Sequence, residues 1–155
     1  MAGTYSKLYV QVVFSVRNRN QLLSPTWRKE VFRYISSIIS DQGHKPIIVN
    51  GVSDHVHIFF AQTPSKTISD LVREVKSSSS RFINNKFMRI GKFEWQSGYG
   101  VFSYSADSVS SVYNYILNQE EHHRNVSFHD EYEDLLEKYN IEYKRKYVFD
   151  LKSDS

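Results

Sequence analysis

The stretch KPIIVNGVSDHVHIFFAQ, Lys45 to Gln62, reads as two strands of one hairpin. Lys45 to Asp54 forms the first, entering a turn at Asn50-Gly51, a pair that accepts the positive φ of tight turns. HVHIFFAQ continues as the next strand. Upstream, LYVQVVFSV (Leu8 to Val16) alternates, with Leu8, Val10, Val12, Phe14 and Val16 on one face, and predicts another strand. Between them, Ser24-Pro25 opens a helix whose apolar stripe is Trp27, Val31, Ile35 and Ile38, with Gly43 as its stop.

Downstream, Thr67 caps a helix with Asp70 as its capping-box partner and Ile68, Leu71, Val72, Val75 and Phe82 as apolar positions. The tetraserine Ser77 to Ser80 has poor helix propensity. It reads either as helix with serines facing a ligand or a neighbouring backbone, or as a break. FEWQSGYGVFSYS (Phe93 to Ser105) is strand-like, with Gly98 and Gly100 marking a bulge or a close approach. Ser105 or Asp107 caps a helix that carries YNYILNQEEHH, and a last helix spans about Asp130 to Tyr139, ending at Asn140. The order is βαββαβ followed by two helices. That is the ferredoxin-like α+β order, with a four-stranded antiparallel sheet and helices on one face. RNA-recognition domains share it, so this order alone assigns no chemistry.

The 155 residues suit one compact domain, with a charged tail over about 143–155 and no repeat or linker that divides the chain. The absence of cysteine excludes disulfides and thiolate metal sites. No apolar run reaches the roughly 18 residues of a membrane span, and MAGTYSKLYV has no signal-peptide pattern, so a cytoplasmic location is expected. A net charge of +3 identifies no partner. Its distribution is more informative. Lys66 to Lys92 holds seven Lys/Arg against two acids, whereas Glu120 to Asp150 holds five against nine. A basic middle can follow a phosphate backbone, although solvated helices of uneven charge give the same count.

Residues two apart on a strand point the same way, so His55 and His57 present two imidazoles on one face. Neutral imidazoles suit a divalent ion, and ordinary strand histidines show the same spacing. Asp54 could orient one of them, or simply serve the turn. On a helix, Tyr115, Gln119 and His122 share a stripe at i, i+4 and i+7, about 110° from an apolar face of Val109, Val112, Tyr113 and Ile116. That makes Tyr113 the core tyrosine and Tyr115 the one able to reach a neighbour. A phenol, with pKa near 10, is a weak nucleophile until a cation or base favours the phenolate. A metal on His55 and His57 could polarise a phosphate oxygen, and Gln119 offers a carbonyl oxygen as third ligand. His122 and His123 also fit a simpler role as cations at a helix end.

DHVHIFF resembles the histidine–hydrophobic–histidine signature of HUH nucleases. FEWQSGYGVFSYS followed by YNYILNQEEHH resembles the single-tyrosine transposases of small insertion sequences and their REP-associated relatives. The likeness runs from the first strand to about Tyr143. It implies His55, His57 and Gln119 as metal ligands, Tyr115 as nucleophile, and Mg²⁺ or Mn²⁺ as the ion. It implies cleavage and rejoining of single-stranded DNA near hairpins through a 5′-phosphotyrosine. It also implies a homodimer in which the tyrosine helix of one subunit completes the other's site. Arg17, Arg19, Arg73, Lys76, Arg81 and Lys86 then become candidates for holding DNA phosphates. A domesticated relative fits the same residues. The competing expectation is a non-catalytic single-stranded nucleic-acid-binding module, against which stands the lack of an RNP-type aromatic pattern on the first or third strand.

Overall fold

The computed structural model describes residues 3–17 and 21–143. Arg19 and the tail from residue 144 onward lie outside them. The elements are β1 (Tyr9–Ser15), α1 (Arg28–Asp41), β2 (Lys45–Gly51), β3 (His55–Ala61), α2 (Ile68–Lys86), β4 (Gly100–Tyr104), α3 (Val109–Leu117), α4 (Gln119–His122) and α5 (Phe128–Lys138), with a short 3₁₀ turn at Ala106–Ser108 before α3. The sheet order is β2-β3-β1-β4 and every pairing is antiparallel. This is the expected four-stranded ferredoxin-like arrangement.

Alternation along the central strands sorts the two faces. Val10, Val12 and Phe14 of β1 and Val56, Ile58 and Phe60 of β3 join Val31, Ile35 and Ile39 of α1 and Leu71, Val72 and Val75 of α2 in the main core. The other face is not open to water, which corrects the expectation of helices on one side. Val13 and Phe102 pack against Phe128, Tyr132 and Leu136 of α5, while Phe59 packs against Val112 and Ile116 of α3. The run HVHIFF is therefore buried on both faces.

Two further local expectations change, and the serine run takes the helical one of its two readings. β2 runs through Gly51, which pairs with Val56, and the turn falls at Val52–Asp54. A Cβ at Gly51 would stand 2.2 Å from the His55 carbonyl oxygen, so the strands approach too closely there for any side chain. The serine run stays helical, with Ser79 buried and accepting from Trp95 Nε1 at 2.9 Å. The tyrosine helix divides at Asn118 (φ −96°, ψ 25°) into α3 and α4. Asn50 Nδ2 holds this junction, donating to the carbonyls of Ile116 (2.9 Å) and Leu117 (3.2 Å).

Candidate active site

β3 turns His55 and His57 toward α3, α4 and α5, and both rings are wholly buried. α3 brings Tyr115 to the same place. Its ring centroid lies 5.9 Å from that of His57 and 5.2 Å from that of His122. The stripe read from sequence is thus real, but the tyrosine assignments change. Tyr113 is 38% exposed, whereas Tyr115 is half-buried and faces the histidines. Along α3, Val112 and Ile116 are buried against Phe59, and Val109 and Tyr115 pack partly against the same cluster. The helix also folds back on its own chain, so the phenol and both imidazoles meet within one subunit.

The centre of the cluster is a residue that sequence reading left out. Glu131, on α5, is 3% exposed. Its Oε1 lies 3.0 Å from His57 Nε2, 3.2 Å from His55 Nε2 and 3.1 Å from His123 Nε2. Its Oε2 accepts from the Tyr115 hydroxyl and, at 3.0 Å, from Gln119 Nε2. Gln119 is fully buried, with its Oε1 3.1 Å from His55 Nε2. The sequence did carry a signal. In FHDEYEDLLEK the buried stripe is Phe128, Glu131, Tyr132 and Leu136, so a carboxylate occupies an apolar position. Gln11 gives a similar signal, a buried amide between valines whose Nε2 donates to His57 Nδ1 at 2.8 Å.

The charges follow from this geometry. Burial opposes ionisation of Glu131, but hydrogen bonds from His123, His55 and His57 hold its carboxyl well below the usual range. Burial would lower His55, yet its hydrogen bonds to Asp54 and Glu131 raise it to about 9. Burial keeps His57 below its ordinary value. Burial, then the adjacent Glu131 charge, pushes the Tyr115 phenol up, so it is not a free phenolate.

The donor set suits a divalent ion. His55 Nδ1 donates to Asp54 Oδ1 at 2.8 Å, and His123 Nδ1 donates to the Val126 carbonyl at 2.6 Å. With those protons committed, each unprotonated ring turns its Nε2 lone pair inward, the orientation that metal-binding histidines take. His57 differs, because accepting from Gln11 places its proton on Nε2. Metal loading there requires the Gln11 amide to turn over. His55, His57, His123 and Glu131 each bring a ligand atom, all within 4.8 Å of one another.

The basic candidates have mixed surroundings. Arg17 pairs with Glu94, Arg73 with Asp70, and Lys86 with Glu30. Arg81 is exposed on α2. Lys76 differs from these, since its ammonium donates to the carbonyls of Gln96 (2.9 Å) and Gly98 (2.6 Å), and burial lowers its pKa to about 8. A cleft of about 350 Å³ opens beside the phenol, lined in part by Tyr104, Tyr115, His122, Glu131 and Lys138.

The sheet carries paired histidines beside a helix that returns a tyrosine to them, and the fold as a whole is similar to that of known transposases. Residues 4–119 match the IS200-like transposase family, and the chain belongs to that family. The chain is similar to the ISDra2 transposase TnpA of Deinococcus radiodurans, 23% identical over 122 residues, which are 76% of this chain and 87% of the relative. A crystal structure of a protein assigned as a transposase from D. radiodurans R1 superposes with a TM-score of 0.61 at 23% identity, covering 77% of this chain and 95% of that one. A REP-associated tyrosine transposase bound to a REP hairpin superposes with a TM-score of 0.59 at 16% identity, covering 81% and 74%. No helix among the described residues is long and apolar enough to cross a membrane.

Proposed function

We propose that this transposase-family protein cleaves and rejoins single-stranded DNA near hairpins, with Tyr115 as the nucleophile. The observation that carries this reading is the meeting of the Tyr115 phenol with His55 and His57 on one carboxylate, in one chain. The related transposase solved on a REP hairpin supports the substrate class.

His55 and His57 would hold Mg²⁺ or Mn²⁺, with Gln119 Oε1 within reach as a further donor. The bound ion would polarise a phosphate oxygen and offset charge as the phosphorus–oxygen bond exchanges. Tyr115 attacks the phosphorus from the cleft it lines. Glu131 Oε2 accepts the phenol's hydrogen bond and so orients Tyr115, but its carboxyl lies too far below the usual range to act as the base, and the phenol's proton passes to the departing 3′-oxygen. The 3′-oxygen departs as a hydroxyl, and the 5′-phosphate stays on the tyrosine. This ester retains the reactivity of the original bond, so a 3′-hydroxyl can reverse the step. Within this single chain the Tyr115 phenol already reaches Glu131 beside both histidines, and in a homodimer the same helix could complete either subunit's site.

The test is a hairpin-bearing single strand with Mn²⁺. The protein should form a covalent adduct resistant to denaturation, and Tyr115→Phe should form none. An equal adduct from Tyr115→Phe rejects the nucleophile assignment. Metal-independent binding without cleavage of any strand would favour the non-catalytic module.

A further inference from the structure

Glu131 lies beyond residues 4–119, the segment that matches the transposase family. The carboxylate at the middle of the histidine cluster is therefore supplied by a part of the chain that the family match does not reach. We propose that Glu131 is itself a ligand of the divalent ion, with His123 beside it, so that docking of α5 completes the metal site. This inference rests on the reading of His55 and His57 as metal ligands.

The first argument is spacing. Donors at about 2.1 Å from an octahedral ion lie about 3.0 Å from their neighbours. The separations from Glu131 Oε1 to the three imidazole nitrogens are 3.0, 3.1 and 3.2 Å. Sharing an ion in place of a proton needs the Gln11 amide to turn over, and it draws together ligand atoms that already lie within 4.8 Å of one another. The second argument is ligand chemistry. A carboxylate surrounded by imidazoles lowers the charge that the buried site must hold, and Mg²⁺ and Mn²⁺ both favour oxygen donors of that kind. The third is rigidity. Phe128, Tyr132 and Leu136 are buried on the same helix, so α5 is anchored on both sides of Glu131. Gln119 Nε2 fixes the other carboxylate oxygen at 3.0 Å.

The consequence is a coupling between metal and helix. Without α5, the strand histidines keep only part of the donor set. With it, the ion, Glu131 and the Tyr115 phenol form one connected group.

The experiment is Mn²⁺ binding followed by electron paramagnetic resonance on the full chain, with no DNA present. His55→Ala should abolish tight binding. Glu131→Gln, nearly the same shape, should weaken it by more than about 100-fold, beyond the range seen when a residue only orients a ligand. A smaller loss in Glu131→Gln, with His55→Ala still impaired, overturns this proposal and leaves the histidine site standing. Wild-type protein that binds no Mn²⁺ overturns both. Should Glu131→Gln fold poorly, hydrogen exchange on the wild type decides: Mn²⁺ should slow the amides of residues 128–138. Unchanged exchange there at saturating Mn²⁺ overturns the ligand role.

Discussion

The Tyr115 hydroxyl donates to the Glu131 carboxylate across 16 residues of chain, joining the helix that offers the nucleophile to the helix that closes the site. The same carboxylate faces His55, His57 and His123 through its other oxygen. The site thus combines one strand and three helices around a single buried carboxylate.

The two tyrosines of YNY should separate sharply. Tyr115→Phe is expected to reduce covalent adduct formation by at least about a thousandfold, since no other hydroxyl replaces a lost nucleophile. Tyr113→Phe, at an exposed position, should leave it unchanged. Gel-shift of denatured adducts on labelled single strands measures both. A strong defect in Tyr113→Phe would reverse the orientation of α3 described above.

Metal binding should strengthen with pH. Without an ion, His55 is raised to about 9, so its network adds stability that is fully present below about 6.5 and fades as pH rises through 9. Glu131 is lowered, so its share is present above the ordinary carboxylate range and fades as pH falls below it. An ion must displace the His55 proton, so the rise in melting temperature on adding Mn²⁺ should be larger near pH 8.5 than near pH 6. Thermal melts at both values, with and without Mn²⁺, check this, and equal shifts would exclude His55 as a ligand.

Gly51→Ala should damage fold and site together. Its Cβ would meet the His55 carbonyl oxygen at 2.2 Å, and backbone atoms cannot rotate aside as a side chain would. A loss of about 1–3 kcal/mol is expected from such overpacking, along with weaker metal binding as β3 shifts. Urea unfolding and Mn²⁺ titration provide the two readings.

Lys76 and Arg81 should part company as well. Lys76→Met removes an ammonium held by the Gln96 and Gly98 carbonyls, so stability should fall while the salt dependence of DNA binding stays the same. Arg81→Ala should leave stability unchanged and, where Arg81 meets phosphate, lower the salt slope by about 1. Affinity across a salt series separates the two outcomes.

Gly100 shows how much local chemistry remained legible. Its glycine marks a close approach, and the Tyr132 ring of α5 occupies the space a Cβ would need. The periodicity of β1, the His55/His57 pair and the capping of α2 by Thr67 were equally readable, because each depends on neighbours a few residues apart. The strand order and antiparallel sheet followed from the succession of elements.

What the chain alone determined is therefore the fold, the paired imidazoles and the spacing of Tyr115 from Gln119. The end of α3 is held by Asn50, which donates to the Ile116 and Leu117 carbonyls, a contact across more than 60 residues. The burial of the sheet's second face and the convergence of Glu131 and His123 on the histidines were tertiary decisions. A strand or helix pattern records which residues share a face, whereas which faces meet is settled only when distant segments exclude water from each other.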